Sequence, residues 1–287
     1  MHTYASLSVL EAHLLASAQG TNIAQHRAIL LDYARRATAR IDSITHNTFA
    51  PMRQVRYFDC RGDHLDPTTR TIYLGASIAE VISLTDGTGA SLTHNTDWHY
   101  YPRGVQSTHY LQGKTDSTWT QYADDWMNAI VIDGVWCHRA RYDHIGWIPS
   151  GDTVQADVSA DMTTIPVTDA DEVNGWGIAP RFDVGQLIRI ATEYMTIISI
   201  DGNNLRVIRG YNGTTATAHT ANTPIFTFNP QEEIVRACAL ITAFNYANRG
   251  RYERVRFDGI NATETMELPQ EIDDLLAHFT IRESYGV

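Results

Sequence analysis

The sequence predicts an α+β fold. Helices from the N- and C-terminal ends build an α-helical body, and a small antiparallel sheet and an inserted all-β domain of barrel or sandwich type are excursions from it. Three observations predict this. Apolar residues recur at helical spacing over about 6–47 and again after residue 229. Residues 53–136 carry β-branched and aromatic runs separated by turn signals. Residues 150–228 hold short strand-like runs, with 4 Arg and no Lys against 9 acids. The expected domains are therefore 1–149, with helices at about 6–47 and the sheet at about 53–136, then 150–228 as the insert, and 229–287 as the C-terminal helices completing the body.

The elements follow in order. Ser8 and Glu11 form a Ser-x-x-Glu capping box before Val9, Leu10, Leu14 and Leu15, and Gly20 suits the helix end. Asn22 can cap a second helix whose stripe is Ile23, Leu30, Tyr33, Ala34, Ala37, Ile41 and Ile44, closed by Asn47 and Pro51. Strands are expected at 54–58, 71–74, 80–84, 97–101 and 129–132, with Asp86-Gly87-Thr88-Gly89 as a hairpin turn. In the insert they fall at 164–167, 186–190, 193–198 and 205–208, with a turn at Asp201-Gly202-Asn203-Asn204. Pro230, Glu232 and Glu233 open a helix with Ile234, Cys238 and Ile241 on one face, which Gly250 ends. Residues 255–257 are a short strand or an extended loop, and Pro269 starts a last helix with Ile272, Leu275, Leu276 and Phe279 apolar.

Composition limits the function. The chain has 287 residues, 22 basic and 33 acidic, for a net charge of −11. A non-specific nucleic-acid binder needs basic charge to neutralise phosphate, so that class is disfavoured. No run of apolar residues is long enough to span a bilayer, and Met1 to Ser6 has no signal-peptide pattern. Cys60, Cys137 and Cys238 are far apart and odd in number, which reads as free buried thiols in a reducing compartment. Lys114 is the single lysine.

Chemical motifs are sparse. His138 and His144 flank Arg139 and Arg141, and two guanidinium groups would repel a cation, so no metal site is expected. No nucleophile elbow, phosphate loop or dinucleotide fingerprint is present. Asp124 and Asp125 are adjacent, point apart and read as a solvated turn. No catalytic residue and no cofactor is assigned, and the chain is not expected to be an enzyme. The aromatic stretches 98–101 and 119–126 suit a core or an interface, with sugar stacking as the other use of such rings. The string Arg209-Gly210-Tyr211-Asn212-Gly213-Thr214-Thr215-Ala216-Thr217-Ala218-His219 is a turn string.

Four stretches in order carry a resemblance. They are the helical opening from Tyr4 to Thr45 ending at Phe49; the strand set from Tyr57 through Asp86-Gly87-Thr88-Gly89 to Trp98 and Pro102; Ile130-Val131-Ile132-Asp133-Gly134-Val135-Trp136-Cys137-His138; and Glu193-Tyr194-Met195 leading to the 209–219 string. Together they resemble the head–tail connector (adaptor) proteins of tailed bacteriophages, in the long form with an inserted β-domain. Cys137 and the missing tyrosine depart from the family's Val-x-Gly-x-Trp-Gly-Tyr-His pattern.

The resemblance implies a structural virion protein with an α-helical connector body. It implies a homo-oligomeric ring, usually of twelve copies, between the portal protein and a stopper or tail-completion protein. Genomic DNA passes through the lumen without sequence-specific binding, and the place is the virion neck after synthesis in the host cytoplasm. It makes Arg282, Glu283, Ser284, Tyr285, Gly286 and Val287 candidate portal contacts. Ring closure needs head-to-tail complementarity, for which Arg35, Arg36 and Arg40 facing Glu271, Asp273 and Asp274 of the next copy are the candidates. Twelve copies would bring roughly −130 near the channel, so that DNA slides rather than sticks. The rival readings are another neck, tail-completion or decoration protein, or a carbohydrate-binding module.

Overall fold

The computed structural model describes residues 2–16, 26–102, 108–116, 118–140, 144–249 and 268–281. They divide into two compact units, one of described residues within 1–45 and 147–280 and one of described residues within 46–146 together with Ile281. The expectations for Gly20, Asn22, Gly250, residues 255–257 and the six portal-contact candidates Arg282 to Val287 lie outside the described residues.

The expected α-helical body is corrected. The described chain is mostly β, with two antiparallel six-stranded sheets and four short helices. The helices are α1 (Leu7–Ala16), α2 (Arg27–Thr45), α3 (Glu232–Ala247) and α4 (Gln270–Leu276). They do pack on one another, with α2, α1 and α4 all against α3. The Cys238 sulfur sits 3.8 Å from both the Ala34 carbonyl and the Thr38 hydroxyl, so α2 and α3 approach closely through small side chains. Four helices of this length cannot enclose a core alone, and the same unit contains the whole second sheet.

The stripe read on α2 is the buried one: Leu30, Ala34, Ala37 and Ile41 are inside. The start of α1 differs from expectation. The helix begins at Leu7, and the Ser8 amide donates to the Asp183 carboxylate at 2.7 Å. An acid from the loop between two strands of the second sheet, residues 164–166 and 187–190, thus satisfies an orphan donor and complements the helix dipole. Glu11 pairs instead with Arg27 at 2.6 Å.

In the first sheet the order is β1 (Met52–Phe58), β6 (Ile130–Trp136), β3 (Thr71–Thr85), β5 (Thr108–Gly113) and β4 (Trp98–Tyr101), with β2 (Leu65–Asp66) beside β3. The two strands expected at 71–74 and 80–84 are one long β3, whose pairing with β6 is irregular at Ile78/Glu80 and Val81/Ser83. Trp98, Leu111, Trp119, Ile132 and Trp136 form its core. Gly134 lies opposite Val81, between the two irregularities. A Cβ there would stand 2.6 Å from the Glu80 carbonyl oxygen and 3.0 Å from the Ile78 Cδ1. That carbonyl belongs to a paired strand and cannot withdraw without breaking the pairing. Gly134→Ala should therefore destabilise this unit by about 2–3 kcal/mol, seen as a lower urea midpoint by tryptophan fluorescence.

The second sheet runs β7 (Trp147–Thr153), β12 (Pro224–Phe228), β9 (Leu187–Ile190), β10 (Glu193–Asp201), β11 (Asn204–Ile208) and β8 (Thr164–Pro166). Strands 164–166, 187–190, 193–201 and 204–208 sit where the sequence placed them. Its core includes Val154, Phe182, Ile188, Met195, Leu205 and Ile225.

Candidate functional site

A heavily bonded buried group is the Glu193 carboxylate at the start of β10. A tight turn through Ala191, at φ 51°, brings β10 back along β9 and fixes Glu193 opposite Ile190. Its side chain is fully buried. Arg209, one residue past β11, grips it from two nitrogens, with Nε 2.7 Å from Oε1 and Nη2 2.8 Å from Oε2. The Gly210 amide donates to Oε1 at 2.9 Å, the Thr217 amide to Oε2 at 3.0 Å, and His219 Nε2 lies 2.8 Å from Oε2. A carboxylate only accepts, so His219 carries its proton on Nε2.

Burial by itself would push the Glu193 carboxyl up. The bonds from Arg209, Thr217, Gly210 and His219 outweigh it and hold the group below its ordinary value. Arg209 is equally engaged, since Nη1 donates to the Ser159 and Met162 carbonyls and Nη2 also reaches the Thr217 carbonyl.

The 209–219 string is the loop that delivers these donors. Gly210 has φ +58°, and a Cβ on it would meet the Thr214 carbonyl oxygen at 3.1 Å. Asn212 at φ 48° and Gly213 at φ 81° turn the chain, and the Thr214 hydroxyl accepts from the Tyr194 amide at 2.9 Å. His219 exchanges both backbone bonds with Val158. The arrangement is a clasp. Five donors occupy the carboxylate, and the imidazole is 3% exposed.

A second clasp holds the loop after β8. Asp152, on β7, accepts from Thr153, Thr168 and Asp169 amides and the Thr168 hydroxyl, and Arg181 reaches it at 3.3 Å. Arg181 also pairs with Glu172 at 3.0 Å and donates to the Val173 and Asp169 carbonyls. Burial opposes the charge on Asp152, and these amide and hydroxyl bonds hold its carboxyl below the ordinary range.

The expected ring-interface residues lie on two helices of one unit. Arg36 and Arg40 are exposed on α2 and Arg35 is half-buried there. Arg36 already meets Asp32 one turn away at 2.7 Å. Glu271, Asp273 and Asp274 are exposed on α4, where Glu271 pairs with Arg236 of α3 and Asp274 accepts from Gln270. The structure therefore gives Arg36 and Glu271 partners within the chain.

Of the aromatic stretches, Trp98 and Trp119 are core residues, while Tyr101 is exposed. Asp124 and Asp125 are exposed, and Asp125 bonds the Met127 amide. The His138 ring packs on Phe49, with Nδ1 3.0 Å from the Arg139 carbonyl. Among the described residues no three His, Cys, Asp or Glu side chains are grouped to hold a metal ion, and no helix is long and apolar enough to cross a membrane. The three cysteines are separate and buried.

Sequence reasoning located the 209–219 string but not the carboxylate it closes around. The available signal was an acid, Glu193, opening an otherwise apolar strand. No protein-family model matches the chain, and no curated protein matches it.

Proposed function

We propose that the chain is a structural protein of a tailed-phage virion, a head–tail connector that forms a ring between the portal and a stopper or tail-completion protein. The observation that carries the reading is the ordered series of four stretches, from the Tyr4 opening to the 209–219 string. The Glu193 clasp is consistent with it, because the 209–219 string, which resembles one frequent in phage virion β-domains, is here occupied in holding the fold together. In this reading the connector body is this chain's two β units with accessory helices, in place of the expected helical body.

In this reading Arg35, Arg36 and Arg40 of one copy meet Glu271, Asp273 and Asp274 of the next. Arg36 and Glu271 would exchange their exposed internal partners for intersubunit ones, a small cost because exposed pairs contribute only about 0–1 kcal/mol. Arg282 to Val287 remain the proposed portal contact.

The test uses the full chain with the portal ring of the phage that encodes it. Electron microscopy of the mixture should show a second ring seated on the portal. Cutting after Phe279 should abolish the binding, and Arg36→Glu with Arg40→Glu should reduce closed rings at least about tenfold, with thermal stability unchanged. A chain that never seats on the portal, or that localises elsewhere on the virion, overturns the connector reading. Unimpaired ring closure by the double variant overturns the interface.

A further inference from the structure

The solvent face of the first sheet carries a row of tyrosines that the connector reading does not use. Tyr73 of β3 is directly opposite Tyr110 of β5, and Tyr110 is opposite Tyr101 of β4. The row thus crosses three neighbouring strands and spans about 10 Å at ordinary strand spacing. One step along the strands lies a polar row on the same face, Thr71, Gln112 and His99.

The rings are inclined rather than coplanar. Tyr73 and Tyr110 are 5.3 Å apart at 42°, and Tyr101 and Tyr110 are 6.4 Å apart at 80°. They form the walls of an open groove of about 260 Å³, closed at one end by His64, Asp66, Thr69 and Thr71. That end is built rather than loose. The Asp66 carboxylate accepts from the Thr68 and Thr69 amides and the Thr69 hydroxyl, and Gln112 Nε2 donates to the Thr69 carbonyl.

We propose that this groove is a binding site for a short neutral oligosaccharide. A sugar ring has apolar C–H faces and a polar rim of hydroxyls. Tyrosine meets both, with a π face for stacking and a phenolic oxygen for hydrogen bonding. Among the described residues the lining has no aliphatic side chain, which disfavours an apolar protein segment as occupant. Among the described residues the lining also has no Arg or Lys, and Asp66 places a negative charge at its end, so those residues disfavour phosphate and nucleic acid as well. Hydroxyl-rich, uncharged chemistry is what remains complementary.

The test is titration of the full-length chain with a panel of neutral trisaccharides of the gluco, manno, galacto and N-acetylhexosamine series, to millimolar concentration, followed by calorimetry and tyrosine fluorescence. At least one series should bind. Tyr101→Ala and Tyr73→Ala should each weaken it about tenfold or more, near 1.4 kcal/mol, while Tyr101→Phe stays within a few-fold. Tyr57→Ala, an exposed tyrosine on β1 outside the groove, should leave binding unchanged. Tyr101 is 42% exposed, so its truncation should not shift the melting temperature. Binding by no member of the panel overturns the proposal, as does binding that survives both alanine variants, or capture of an oligothymidylate by these tyrosines in place of a saccharide. Ring formation is a separate readout, so failure of the connector reading leaves this site standing, and the reverse holds too.

Discussion

Glu193→Gln should lower the stability of the unit formed by residues 1–45 and 147–280 by about 3–5 kcal/mol. The amide keeps the volume but removes the charge that faces Arg209, whose side chain is 6% exposed. It also turns an NH2 group toward the N–H donors of Arg209, Gly210, Thr217 and His219, so at least one donor meets another donor. A buried guanidinium without its counter-charge is the costly outcome of breaking such a pair.

The pH dependence gives an independent check. The folded carboxyl lies below its ordinary 4.5, so its contribution is complete above that pH and is lost as pH falls through the folded value. Wild-type protein should therefore show a steep acid loss below about pH 4, and the Gln variant, already without that contribution, should show a shallower one. Urea unfolding at pH 7 and under acid conditions measures both. A Gln variant within about 1 kcal/mol of wild type at pH 7 would falsify the clasp, since that is the most an exposed pair contributes, whereas breaking a buried one costs about 3–5 kcal/mol.

This clasp also marks where the sequence was and was not readable. The turn chemistry of Asn212 and Gly213 is local, and local chemistry is visible in a string of letters. The partner carboxylate is 16 residues before Arg209 and 26 before His219, and only the β9–β10–β11 pairing brings them together. The strands of the insert were legible because Ile188, Ile190, Met195, Ile197, Leu205 and Val207 alternate strongly and face one core.

Strands β5, β7 and β12 were missed for a related reason. Thr108–Gly113 reads as Thr-His-Tyr-Leu-Gln-Gly, and only pairing on both sides, with β3 and β4, makes it a strand. Pro149 and Gly151 looked like a domain boundary, yet both lie within β7, with Gly151 at φ +82°. The fold class failed through weighting. Helical stripes at both chain ends are conspicuous, whereas mostly short strands each leave a faint signal that adds up to most of the fold. The tyrosine row is invisible in sequence for the same reason as the clasp, because its members come from three strands and share a face only through register.

The second large effect concerns the N-terminal segment. Tyr4 is buried, its amide donates to the Thr38 hydroxyl at 3.1 Å, and its phenol donates to the Asp42 carboxylate. Burial raises the Asp42 carboxyl from 3.8 to about 7, against the lowering effect of the Tyr4 bond. The native state thus prefers a neutral Asp42, and the unfolded chain does not. Below pH 4 both states are protonated and the difference vanishes. Between about pH 4 and 7 the native state holds the extra proton, so stability falls as pH rises. Above that range the loss is constant, at about 2–4 kcal/mol.

Asp42→Asn is neutral at every pH, and its amide oxygen still accepts from Tyr4. It should match wild type near pH 4 and melt several degrees higher at pH 8, because about 1 kcal/mol corresponds to roughly 2–4 °C in a unit of this size. Tyr4→Phe removes the bond that opposes the shift, so it should steepen the wild-type decline between pH 5 and 8 rather than abolish it. Equal gains for Asp42→Asn at pH 4 and pH 8 would mean that the residue acts through packing and not through its proton. That outcome would remove the electrostatic account while leaving the contact between the N-terminal segment and α2 intact.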